Sequence, residues 1–299
     1  MLGKNIRISS IQNKRAEIIA GYVFISPAVI LLLIFCIYPM LYALFVSLHK
    51  WDGLNPMVFK GLDNYFKLYN DKEWLSALGR TFLYTGVYTP ALFICSLLLA
   101  LIVKSIPRFN GTFRTFLFLP VVLSSVVTGL IWKLMYDEKG GVINAVLGIF
   151  GIDPVSWLSS DSTAIIAIII TTVWMSMGYY MIIFLAGLQD IPREWYEASK
   201  IDGSNVLQTF WYITFPSLKN TSTFVIIVTI IGSFQAFDQI KIITNGGPAS
   251  STKLGIQYIY EASFQLYQMG YAAALSFCLF FIILIFTMVQ LKLLSNKKE

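Results

Sequence analysis

Charge is what this 299-residue chain has least of: 13% of its residues are Asp, Glu, Lys or Arg, against about 25% in soluble domains. Histidine is nearly missing, His49 being the only one, and Cys36, Cys95 and Cys278 share no short spacing. The shortage of charge excludes an ordinary soluble domain. The cysteine pattern excludes a disulfide framework, and no cluster of His, Cys and carboxylates suggests a metal site. His49, at the end of an apolar run, reads as an interfacial residue. The G-x-x-x-x-G-K-[ST] phosphate loop is also missing. The stretch GGPASSTK from Gly246 holds the ingredients in the wrong order and reads as an exterior turn. The apolar runs contain no His–Glu or Ser–Asp catalytic set, which argues against an intramembrane hydrolase. They contain no midspan carboxylate, which argues against a proton- or sodium-coupled transporter. No internal or inverted repeat is visible, which disfavours the folds built on such repeats.

Apolar residues are abundant, at 57%, too many to hide in a soluble core, so lipid must solvate much of the surface. The net charge of +6 sits beside apolar runs and reads as membrane orientation rather than nucleic-acid binding. Residues 1–17 are polar and basic (Lys4, Arg7, Lys14, Arg15) and predict a short cytoplasmic tail. A signal peptide is the competing reading, but the run from Ile18 to Leu48 is too long and has no small-residue cleavage site.

That run and five more are each long enough for a bilayer of about 30 Å: Thr81–Val103, Thr115–Met135, Ala164–Leu188, Thr221–Ile243 and Gly270–Leu294. The expectation is an all-α membrane protein forming a single transmembrane domain over residues 1–299. It has six transmembrane helices and both termini cytoplasmic. With the N-terminus inside, thirteen Lys and Arg fall inside, Arg108, Lys297 and Lys298 among them, against nine outside, the sense of the positive-inside rule. Short helices are expected in the exterior segment Trp51–Arg80, punctuated by Asn55-Pro56 and Gly61.

One polar stretch breaks the apolar pattern, EWYEASKIDGSNVLQTFWYITFP from Glu194 to Pro216, inside a cytoplasmic loop over 190–220. Pro192 and Glu194 suit the first turn of a helix, and Gly203 suits a left-handed stop. Asn205 with Gln208 three residues later predicts a capping box for a second helix. Ala198 and Ser199 are small enough for a partner's groove to approach, and Glu197 can meet a basic side chain there. Pattern alone leaves two readings: a docking knob, or an amphipathic loop helix lying on headgroups.

Polar side chains inside the spans are few. Ser124 and Ser125 follow Pro120, where a kink can expose backbone groups to a cavity. Ser176, Tyr179 and Tyr180 lie on the fourth run. Thr229, Ser233 and Ala236 share one helical face of the fifth, with Gln235 beside them. Asp238 and Lys241 stand three apart near its outer end, as an interfacial ion pair or as a polar lip receiving substrate. Hydroxyls and amides can bond the polar groups of a solute, while aromatic faces cover its C–H surfaces. Helix–helix packing favours the same small and hydroxyl-bearing residues, so both readings stand.

Glu197-Ala198-Ser199, Asp202-Gly203, Ile213 and Pro216 together resemble the EAA loop of ABC importer permeases. Leu119-Pro120, Trp132, Gly141 and Asn144 are similar to the third span and following loop of the carbohydrate permeases in that family. Phe234, Phe237-Asp238, Thr244, Gly246-Gly247-Pro248 and Thr252 are similar to the end of their fifth span. The likeness is to the maltose and glycerol-phosphate permease type. Ser199 replaces the commoner Ala, and Phe215 replaces the usual Leu before Pro216.

The resemblance implies the type I ABC importer permease fold and alternating access in a binding-protein-dependent, ATP-driven importer of sugars or oligosaccharides. A non-sugar solute such as glycerol phosphate or a polyol is the alternative within the family. It implies ATPase coupling through Glu197, Ala198, Ser199, Asp202 and Gly203, and a substrate path past Ser125, Ser176, Tyr179, Thr229 and Ser233, to which the position of Gln235 and Asp238 on the fifth run adds those two. It implies no cofactor in this chain, ATP and Mg being held by partners. Those partners are a second homologous permease, two ATP-binding cassette subunits and an external solute-binding protein. The implied location is a bacterial or archaeal plasma membrane.

Overall fold

The computed structural model describes residues 2–106 and 110–295, with side chains at 17–106 and 111–292. The charges assigned above to Lys4, Arg7, Lys14, Arg15, Arg108, Lys297 and Lys298 lie outside the described side chains. The described chain is almost wholly helical. Its β-structure is one antiparallel pair, β1 (His49–Lys50) with β2 (Val58–Phe59), in register His49↔Phe59.

A long first rod comprises α1 (Leu2–Leu32), a π-helical turn at Leu33–Ile37 and α2 (Tyr38–Ser47). After the β pair come α3 (Asp63–Asn70) and the 34-residue α4 (Lys72–Ser105). Asp71 caps α4, accepting from the backbone N–H groups of Glu73 and Trp74 at 3.0 and 3.1 Å, as an N-cap carboxylate should. Then follow α5 (Asn110–Val122), α6 (Ser125–Met135), α7 (Val142–Ile149) and α8 (Asp161–Gln189). The polar stretch forms α9 (Arg193–Ile201), α10 (Val206–Thr209), a π-helical turn at Phe210–Thr214 and α11 (Phe215–Ser217). The chain closes with α12 (Lys219–Phe234), α13 (Asp238–Ile243), α14 (Gly255–Phe264) and α15 (Met269–Ser295).

Four helices are long and apolar enough to cross a membrane: Glu17–Ser47, Lys72–Ser105, Asp161–Gln189 and Met269–Lys292. Two of the six expected spans are not straight rods. The third, Thr115–Met135, is broken between α5 and α6 by a bend of 95°. Pro120 lacks an N–H and crowds the preceding turn; three residues beyond the following Val121, Ser124 is extended at ψ 131°. The fifth, Thr221–Ile243, stops at Phe234 and restarts at Asp238. Its 16-residue α12 reaches only about 24 Å at 1.5 Å per residue. Another bend, of 67°, separates the Val206–Ser217 segment from α12. Ala236 therefore lies in the break beyond α12 and not on the helical face expected with Thr229 and Ser233. The helix α14 lies in a stretch for which no helix was expected.

The core is built on α4, which packs against α8, α12 and α14. At the end carrying α9–α11, hereafter the knob end, Leu97, Ala100 and Val103 of α4 meet Phe184, Leu185 and Leu188 of α8 and Leu218. At the opposite, cap end, Trp74 and Ala77 meet Phe234, Tyr258, Tyr271 and Leu275. Between them Tyr84, Tyr88 and Leu92 pack on Ile168, Ile169 and Val173. His49 is buried in the cap, its Nδ1 2.7 Å from the Phe45 carbonyl oxygen. Two glycines set helix spacing. A Cβ at Gly178 would land on the backbone of Leu117, and one at Gly187 on Thr221 and Leu218. α8 therefore meets the backbone of α5 directly at Gly178, and at Gly187 receives the Thr221 and Leu218 side chains against its own backbone.

Candidate functional site

Midway along the bundle, α4, α8 and α12 diverge around a cavity of about 330 Å³. Its wall holds Tyr84 and Tyr88 from α4, Thr172, Ser176 and Tyr180 from α8, and Thr229 and Ser233 from α12. The break after α12 adds Gln235, Ala236 and Phe237, and α13 adds Asp238 and Gln239. The break matters physically: an intact helix would turn these consecutive side chains around its axis, while the break collects them at one mouth.

Hydroxyls face each other across this wall. Tyr84, Tyr88 and Tyr180 share this wall with Thr172, Ser176 and Thr229. Thr85 and Ser233 hydroxyls lie 2.8 Å apart and join α4 to α12. Thr229 Oγ1 is buried and completes no hydrogen bond with protein, a polar atom with capacity to spare. Tyr84 and Tyr88 stack at 5.3 Å with ring planes 10° apart, a flat aromatic face.

Five of the seven path residues named from sequence line this cavity: Ser176, Thr229, Ser233, Gln235 and Asp238. Ser125 does not line it but donates to Asp238 Oδ2 at 3.0 Å. Tyr179 is exposed, its ring centroid 5.1 Å from that of Tyr180, and Tyr180 takes the lining position. Lys241 does not pair with Asp238; its Nζ stands over the Tyr260 ring at 5.0 Å. The only ion pair among the described residues is Lys253–Glu261, at 2.7 Å. Sequence reasoning missed Tyr84, Tyr88 and Thr172. The signal was there: Thr81, Tyr84, Thr85 and Tyr88 make one hydroxyl stripe at helical spacing along α4.

At the knob end, α9 stops where expected, with Gly203 at φ +75° in the left-handed region that suits glycine. The Asn205–Gln208 capping box is present, both reciprocal bonds being 2.9 Å. Ser199 points inward, its Oγ 2.9 Å from Thr209 Oγ1, and so fastens α9 to α10. Glu197, Ala198, Asp202 and Gly203 are exposed. Around them stands an apolar surface: Ile201 is 86% exposed, Val206 88% and Tyr212 81%, with Trp195 and Leu207 beside them. Ala198, Ser199 and Asp202 border a groove of about 670 Å³ between α9 and α10.

Helices of membrane length, two broken spans, a hydroxyl-lined cavity and an exposed helical knob define a multi-pass membrane permease. The chain belongs to the family of binding-protein-dependent transport system inner membrane components, whose family model matches residues 67–297. The lactose transport system permease protein LacF of Rhizobium radiobacter is 35% identical over 291 residues, which span 95% of this chain and 97% of that protein. A solved bacterial ABC transporter involved in the import of the acidic polysaccharide alginate has a chain that superposes with a TM-score of 0.83 at 20% identity, covering 97% of this chain and 100% of that one. A second structure, of a bacterial alginate ABC transporter in complex with alginate pentasaccharide-bound periplasmic protein, gives 0.79 at 21% identity, covering 97% and 95%. The fold is that of type I ABC importer permeases, and the chain is a transport subunit rather than an enzyme.

Proposed function

We propose that this chain is the permease subunit of an ATP-driven, binding-protein-dependent importer of sugars or oligosaccharides that works by alternating access. One observation carries the reading: the same three helices bear both the cavity and the knob. α4, α8 and α12 line the cavity, and their knob-end residues form the cluster in which Tyr196, Phe210 and Ile213 of the knob are rooted. A displacement of the knob is thereby a displacement of the cavity wall.

The cavity suits a polyhydroxylated solute. Tyr, Thr and Ser hydroxyls and two glutamine amides offer donors and acceptors, and the half-buried Tyr180 ring can cover C–H surfaces. The sugar assignment is supported by the lactose relative and the alginate transporters. The exposed apolar side chains of the knob, Ile201, Val206, Leu207 and Tyr212 among them, suit a protein contact. An ATP-binding cassette subunit is the occupant proposed, holding the ATP and Mg that this chain has no phosphate loop to bind. Glu197, Ala198, Asp202 and Gly203 present the docking face, and Ser199 holds its shape. Two such ATPase subunits, a second homologous permease completing the path, and an external solute-binding protein make up the proposed assembly. It sits in a bacterial or archaeal plasma membrane with both termini cytoplasmic.

The test is ATP-dependent sugar uptake by proteoliposomes holding the full complex. Glu197→Lys should abolish uptake while leaving the solute affinity of the binding protein unchanged. Normal uptake by that variant would remove the coupling role.

A further inference from the structure

The knob is joined to α8 and α12 by the chain itself, but it has no covalent neighbour on α4. Yet α4 supplies Tyr84 and Tyr88 to the cavity. The apolar packing of Leu97, Ala100 and Val103 transmits knob movement into α4. Such contacts are non-directional, however, and do not fix one atom against another as a hydrogen bond does.

Lys104, in the last turn of α4, supplies direction. Its Nζ donates to the Leu188 carbonyl at 3.0 Å and to the Tyr196 hydroxyl at 3.3 Å. Leu188 lies in the last turn of α8, where carbonyls lack helical partners and a cation meets the negative end of the helix dipole. Tyr196 lies on α9 within the knob, and Nζ also stands 4.6 Å from its ring centroid, within cation–π range. The Tyr196 hydroxyl continues to Thr214 Oγ1 at 3.2 Å, in the segment leading to α12. One ammonium thus ties α4 to the end of α8 and to the knob, through neutral acceptors alone.

We propose that Lys104 is a positioning residue for energy coupling, one that locks α4 in register with the knob so that the ATPase stroke reaches the Tyr84–Tyr88 wall of the cavity. The proposal rests on the importer reading, but its readout differs: it is the number of ATP molecules hydrolysed per solute imported.

The experiment uses the complete complex in proteoliposomes with a saturating, sugar-loaded binding protein, and measures ATP hydrolysis and uptake together. ATP-dependent uptake by the parent complex tests the importer reading itself. In Lys104→Met, one charge-assisted link is lost, and ATP consumed per sugar should rise roughly tenfold. Hydrolysis should persist because the docking face is untouched. Lys104→Arg keeps the cation but replaces the compact ammonium by a larger planar group, and should restore the ratio in part. Tyr196→Phe keeps the ring and removes the hydroxyl, and should raise the ratio by a smaller factor. It also decides the matter if Lys104→Met does not assemble. An unchanged ratio in Lys104→Met, or in Tyr196→Phe where the lysine variant is lost, overturns the proposal. So does a fall in hydrolysis and uptake by the same factor.

Discussion

Gly178→Ala sets two known effects of opposite sign against each other. In a helix interior, alanine is favoured over glycine by about 1 kcal/mol. Propensity alone therefore predicts that the substitution stabilises α8. The structure predicts the reverse. An added Cβ at residue 178 would overlap the Leu117 carbonyl oxygen, lie 2.8 Å from its carbon and 3.1 Å from Phe118 Cα. All three atoms are backbone, so no rotamer change relieves the clash. α5 must withdraw by about 1 Å to restore ordinary contact. Overpacking of this kind costs about 1–3 kcal/mol, and lost contacts along α5 add to it. The net effect should be destabilising by up to about 2 kcal/mol after the propensity gain is subtracted. Gly86→Ala on α4 is the control, because nothing lies within 4 Å of the point its new Cβ would occupy; it should be neutral or stabilising. Thermal unfolding of the purified protein in one detergent at one lipid content compares the three. A melting temperature for Gly178→Ala at or above the parent's would refute the argument from backbone contact.

Two further outcomes follow from the ends of the bundle. At the cap end, burial works to raise the Asp71 carboxyl. The hydroxyls of Tyr258 and Tyr271, each 2.6 Å away, and the backbone N–H groups of Trp74 and Glu73 outweigh it and hold it below its ordinary value. A depressed native value means stability that is fully present above the ordinary carboxylate range and is lost as pH falls through the native value. Melting temperature should therefore fall on acidification below about pH 4, and a Tyr258→Phe, Tyr271→Phe double variant should show a smaller fall. At the knob end, Asn205→Ala removes the capping box and should cost about 1 kcal/mol locally. Hydrogen exchange should quicken at residues 206–209 while the amides of α8 stay protected.

The reading from sequence succeeded where local chemistry decides. Gly203 stops α9 because only a residue without Cβ takes its backbone angle freely, and Asn205 with Gln208 caps α10 by a bond pattern written three residues apart. The four uninterrupted spans followed from length and apolarity. It failed where packing decides. Hydropathy does not register a break: the kink expected at Pro120 is a 95° bend, and α12–α13 read as one rod. Tyr179 and Tyr180 are adjacent and chemically alike; only the rotation of α8 within the bundle says which faces inward. Ser199 was read as a small surface residue because its partner, Thr209, is reached only once the hairpin closes. Lys104 looked like one more basic residue at a membrane edge, since Leu188 and Tyr196 lie 84 and 92 positions away.

The first rod has a consequence for anyone handling the isolated subunit. Over Glu17–Ser47 only 6% of its most apolar window is covered by the rest of the chain, and its footing is the packing of α2 on α15. It is a mast stepped at one foot, with its stays supplied by oil or by a neighbouring polypeptide. A thin micelle removes those stays, so the choice of amphiphile governs how much of this subunit keeps its native outline after extraction.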